Sequence, residues 1–128
     1  RAHPVPRVTI AGGVAKMTKL AQGMLDVHSA RGSADLTALA EFAIGLGASA
    51  TIAERIGTAT NVAEAFEIAK ENDLAIGDVV AEKAWETAAP ILRDADVELE
   101  ILVFDRTGEL MGRAPFRRHR ESRPLNRR

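Results

Sequence analysis

The chain has 128 residues, no cysteine, a single tryptophan, and acids and bases that nearly cancel to a net charge of −1. That length suits one domain with a core of its own, and the lack of cysteine excludes a disulfide framework, a thiol nucleophile and a thiolate metal site, in agreement with a reducing cytoplasm. No apolar run approaches the roughly 18 residues a membrane span needs, and no signal-peptide pattern opens the chain, so it reads as soluble and unexported.

Pro4 and Pro6 keep helix out of the first residues, and the β-branched run Val8, Thr9, Ile10 makes Arg7 to Ala11 a strand. The strand breaks at Gly12 and Gly13. Such a break lets backbone N–H groups approach a ligand without interference from a Cβ, and a helix that follows points its positive end at the same place. The pair is neither a G-x-G-x-x-G fingerprint nor a P-loop, and as a bare pattern it is more often a tight turn. From Lys16 to about Gly23, Met17, Leu20, Ala21 and Met24 give the apolar stripe of a short helix. Lys16 and Lys19 are neighbours on one face of it, either as an exposed flank or as the cationic half of a phosphate or carboxylate site.

Asp26 to Ala34 is polar, contains Gly32 and two serines, and reads as a loop. His28 within it suits a general acid or base near neutral pH, a donor to a substrate carboxylate, or a cap on nearby backbone. Asp35 to Leu46 is apolar nearly all round, the composition of a helix buried on most sides, with Ser33 or Asp35 as its cap and Gly45 and Gly47 at its end. A helix from about Ser49 to Ile56 follows, closed by Gly57. Asn61 and Glu64 form a capping box for a third, with the stripe Val62, Ala65, Phe66, Ala69.

The last long helix begins at Gly77-Asp78, places Ala81, Ala84, Trp85, Ala88 and Leu92 on one side, and is kinked or ended by Pro90. Trp85 suits either a stacking platform for a flat macrocycle or, as is commoner beside alanines at helical spacing, the core. Val97 to Asp105 is a strand whose Val97, Leu99, Ile101 and Val103 share one face. Asp105 to Gly108 is a hairpin turn into a short strand at Glu109 to Gly112. Beyond it, residues 115–128 hold six arginines against Glu121, about +5 of charge that leaves about −6 on the rest of the chain. This basic segment reads as a disordered tail, and it has no aromatic residue after Phe116 to stack on bases.

The stretch Arg7 to Ser29 resembles the signature of the cobalt-precorrin-5B C1-methyltransferases, the CbiD family of cobalamin biosynthesis, which have a strand, then G-H-x-G-K-L-x-K-[LV]-A-x-G, then N-T-H-S. Gly12, Lys16, Lys19, Ala21, Gly23, His28 and Ser29 match; Gly13, Ala15, Met17, Asp26 and Val27 depart from it. The likeness continues to Leu102-Val103-Phe104-Asp105-Arg106-Thr107-Gly108-Glu109-Leu110-Met111-Gly112. It implies an enzyme more than twice this long, whose N-terminal domain carries R-T-G-x-[TS]-T-G-[TA]-x-A, a motif this chain lacks, so that the chain alone is expected to be inactive. It also implies S-adenosylmethionine as methyl donor and a tetrapyrrole substrate that carries the cobalt itself. Gly12 and Gly13 would contact the donor, Lys16, Lys19, Asp26 and Ser29 the substrate, and His28 would orient it or handle a proton.

The expected fold is α/β: helices layered on a small, mostly parallel sheet closed by a C-terminal hairpin, one domain over residues 1–114 of a larger two-domain enzyme. Ligands of such sheets bind beyond the carboxyl ends of the strands, where Gly12 to Lys16 falls. The reading is a C-terminal methyltransferase domain that docks on the N-terminal domain, with homo-oligomerisation left open. Its rivals are a non-catalytic anion- or nucleotide-binding module, and an RNA-associated protein acting through the arginine tail.

Overall fold

A computed structural model of the chain describes residues 5–23 and 32–119. Strand β1 (Arg7–Gly13) runs straight into helix α1 (Val14–Ala21). Helices α2 (Gly32–Gly45), α3 (Ala50–Gly57), α4 (Val62–Glu71) and α5 (Ile76–Leu92) follow, and a short 3-10 turn (Arg93–Ala95) leads to the hairpin β2 (Glu98–Phe104) and β3 (Leu110–Arg118). The order across the sheet is β1-β2-β3. β1 lies parallel to β2, a pairing that needs a long crossover such as the helices between them, and β2 lies antiparallel to β3, as a tight turn requires. The expected hairpin closes the sheet, which is mixed: one parallel ladder and one antiparallel.

Alternation along the strands decides which face is covered. Val8 and Ile10 of β1, Leu99, Ile101 and Val103 of β2 and Ala114 of β3 join one core with Met17 of α1 and Val80, Ala84 and Ala88 of α5. α1 and α5 form the layer against the sheet, and α2, α3 and α4 pack behind them through Leu39, Ile56 and Phe66. Trp85 is part of this core: its ring is buried, its Nε1–H donates to the Leu99 carbonyl at 2.9 Å, and the Arg117 guanidinium stacks 3.8 Å from its centroid. It is therefore not a platform for a macrocycle. α2 is buried along one side rather than most, with Thr37, Glu41 and Ile44 exposed.

The capping signals act as their chemistry dictates. Ser49 Oγ accepts from the Ile52 amide at the start of α3, and Asn61 Oδ1 accepts from the Glu64 amide at the start of α4. Glu64 returns its carboxylate to the amide of Thr60, one residue before the position a capping box uses. α5 approaches β3 so closely that no side chain fits between them. A Cβ on Gly77 would lie 1.9 Å from the Met111 carbonyl oxygen, and one on Gly112 would lie 2.1 Å from the Gly77 backbone.

β3 is longer than the expected Glu109 to Gly112. Residues 115–118, assigned to the tail by composition, continue it past a register shift opposite Leu99 and Ile101. The reason is that this segment finds partners in the body: Arg117 pairs with Glu82, Arg118 with Asp96 at 3.6 Å, and the Phe116 ring lies under Arg7 of β1 at 4.8 Å. Residues 120–128 lie outside the described residues.

Candidate active site

Gly13 ends β1 and Phe104 ends β2, and just beyond these two carboxyl ends lies a cleft of about 1130 Å³. Its walls are the first residues of α1 (Gly13, Val14, Ala15), the start of α4 from Thr60 to Glu64 with Phe66 and Glu67, and the turn Asp105–Thr107. Lys19, Asp35, Leu36 and Met111 complete them. Crevices of this position and size are where α/β sheets hold small molecules.

The strand passes into α1 without a loop, so Gly13 itself is the N-cap, with extended backbone (φ −74, ψ 166) and no side chain to satisfy the first amides of the helix. Among the described residues, no side chain caps the positive end of α1 where it borders the cleft. α4 differs: its first turn is closed by Asn61 and Glu64. The Glu64 carboxylate is held below the ordinary glutamate range, chiefly by the Thr60 backbone amide.

The charges around the cleft sort themselves by partner. Lys19 Nζ sits 2.5 Å from Oδ2 of Asp35, which is 1% exposed, and Gln22 Nε2 donates to the other carboxylate oxygen at 2.7 Å. Removing one partner of such a buried pair costs about 3–5 kcal/mol, so Lys19 is committed to joining α1 to α2. Asp105 Oδ1 is equally committed. It accepts from the Thr107 hydroxyl and amide and from the Glu109 amide, and the Thr107 side-chain bond leads the causes that lower its pKa. Arg106 and Glu67 are exposed on the lining and make no ion pair with any described residue.

The structure therefore separates residues that the sequence grouped. Gly13 and Lys19 line the cleft. Lys16 is exposed outside its lining, and Gly12 is paired in register with Val103 of β2, with Met17 Sδ only 2.8 Å from where its Cβ would be. Gly12 makes room for the α1 core methionine. Asp26, His28 and Ser29 lie outside the described residues. Arg106, by contrast, reads in the sequence as a turn residue, and its one signal is its place close behind a strand's carboxyl end. Among the described residues, no His, Asp and Glu side chains gather in a group of three that could hold a metal, and no helix is long and apolar enough to cross a membrane.

Residues 26–115 match the family model described as CbiD, C-terminal domain. This chain belongs to the CbiD family. Among curated relatives, the Halorhodospira halophila cobalt-precorrin-5B C(1)-methyltransferase is 58% identical over 118 residues, 92% of this chain and 32% of the relative. The Agrobacterium fabrum protein of the same name is 59% identical over 113 residues, 88% of this chain and 30% of the relative, and that of Bradyrhizobium sp. is 46% identical over the same shares. The chain thus spans about a third of the length of these relatives. No solved structure was found to match it.

Proposed function

We propose that this chain is the C-terminal domain of a cobalt-precorrin-5B C(1)-methyltransferase, and that the cleft beyond β1 and β2 forms part of its reaction site. The full enzyme would move a methyl group from S-adenosylmethionine to ring carbon C1 of a ring-contracted tetrapyrrole that brings its own cobalt. The observation that carries this reading is the 58–59% identity, over about nine tenths of the chain, to proteins of that name.

The lining suits such guests. Val14, Leu36, Phe66 and Met111 offer apolar surface to a macrocycle. Arg106 and the uncapped amides of α1 offer two positive features to its acetate and propionate groups, and a charge-assisted hydrogen bond is about twice as strong as a neutral one. Glu67 supplies the opposite charge, suited to a sulfonium. When bound, the methyl donor brings an electrophilic carbon on a good leaving group, so the chain's own residues have chiefly to orient and to exclude water. Gly13 is the backbone contact for an incoming ligand, and Gly12 supports it by seating Met17. Lys19, tied to Asp35, shapes the wall, while Lys16 serves only a carboxylate that extends past the edge. His28 would orient the substrate or handle a proton, and Asp26 and Ser29, its neighbours in sequence, would bind the substrate.

The test is methyl transfer by the full-length protein from S-adenosylmethionine labelled on its methyl group to cobalt-precorrin-5B. Label in the tetrapyrrole is expected. No transfer, together with saturable binding of a nucleotide or inorganic phosphate, would favour the anion-binding module instead.

A further inference from the structure

Among the described residues, helices cover the sheet on one face only. Opposite the buried Leu99, Ile101 and Val103, among the described residues, Ala11, Leu102, Phe104 and Leu110 share the bare face. Ala11 is exposed, Leu110 is 48% exposed, and Leu102 and Phe104 are half-buried. The rest of that face is already neutral. Arg7 pairs with Glu98 at 3.0 Å, and Glu100 takes Arg113 at 2.8 Å and the Thr9 hydroxyl at 2.9 Å. A partner need bring no counter-charge, only apolar surface.

The edge of the sheet tells the same story. Among the described residues, β1 pairs with β2 on one side alone. The Pro6 carbonyl accepts from the Glu98 amide, so by alternation the backbone groups of Val8, Ile10 and Gly12 face β2 while those of Arg7, Thr9 and Ala11 face outward. Sheets usually protect such an edge with inward charges, proline or a bulge, yet this strand (RVTIAGG) has no proline and only Arg7 charged. Relatives matched over only 30–32% of their length have ample chain to cover it.

We infer that the outward edge of β1 and the apolar end of the bare face are the docking surface for the remainder of the full-length polypeptide, which adds a strand to β1 and lays apolar side chains over Ala11, Leu102, Phe104 and Leu110. The inference rests on family membership and relative length, not on the reaction, so loss of activity has no bearing on it. A covering here would hold Gly13, at the end of the same strand, rigid beside the cleft.

Hydrogen exchange read residue by residue tests it. The amides of Thr9 and Ala11 should exchange about 100-fold more slowly in the full-length protein than in the 128-residue chain. Ala11→Glu should shift the melting temperature of the 128-residue chain by no more than about 3 °C but lower that of the full-length protein by about 5 °C or more, since only there is the new charge buried. Equal exchange in both proteins, or equal tolerance of Ala11→Glu, would overturn the inference. So would protection of β1 that appears in the 128-residue chain as it dimerises, which would make a second copy the occupant.

Discussion

Two pairs of glycines bear on this domain in opposite ways. Gly77 and Gly112 bring α5 and β3 into backbone contact, where an added Cβ would fall 1.9–2.1 Å from main-chain atoms that cannot move aside. Gly12 and Gly13 sit where a strand becomes a helix at the cleft. There an added Cβ meets a flexible thioether at one position and, at the other, nothing nearer than the Phe104 carbonyl oxygen at 3.9 Å. One pair is required by packing; the second glycine of the other pair leaves backbone open to a ligand. The sequence motif points to the second pair; in the first, Gly77 reads as a helix start and Gly112 as the end of a hairpin motif, and nothing local shows that the two meet.

That contrast can be broken most forcefully at Gly112. Gly112→Ala should destabilise the 128-residue chain by about 3 kcal/mol or more in chemical denaturation, because backbone must separate from backbone. Gly12→Ala should cost about 1 kcal/mol, since Met17 can turn its sulfur away, and the cost should largely vanish in a Met17→Val background. Gly13→Ala should change stability by less than about 0.5 kcal/mol, its backbone being extended and the space open. If Gly13→Ala were as damaging as Gly112→Ala, the distinction between the two pairs would collapse.

A subtler effect concerns the turn that carries Arg106. Asp105 has its pKa lowered by the turn's own donors, led by the Thr107 hydroxyl, so its contribution is present at neutral pH and is lost as pH falls through that lowered value. Protection of the Thr107 and Glu109 amides, measured against their intrinsic exchange rates, should therefore fall in acid below the ordinary aspartate range. Asp105→Asn should remove the pH step, and a step that persisted would assign it to another group.

Much of this fold is legible in the sequence because its signals are local. The Asn61 and Glu64 cap, the alternation through Leu99, Ile101 and Val103, and the Asp105–Gly108 turn each lie within a few residues. The remainder depends on contacts between distant residues. Asp35 claims Lys19 from 16 positions away, and Asp78 Oδ1 accepts from the Arg113 amide across 35. The end of β3 looked like a tail because proline and arginine there suggest solvation, and only the fold shows Glu82, Asp96 and Trp85 waiting for those side chains. Lys16 and Lys19 illustrate the same limit: spacing makes them neighbours on α1, but it cannot say which amine a buried carboxylate will take.

The central claim is that a carboxylate-bearing substrate occupies the cleft beyond β1 and β2, and Arg106 tests it most directly because it lines the cleft and supports nothing else among the described residues. In the full-length enzyme, Arg106→Ala should raise KM for cobalt-precorrin-5B about 10- to 100-fold, the worth of one charge-assisted hydrogen bond, with the melting temperature unchanged. An unchanged KM in a folded Arg106→Ala enzyme would contradict the account and move the substrate elsewhere.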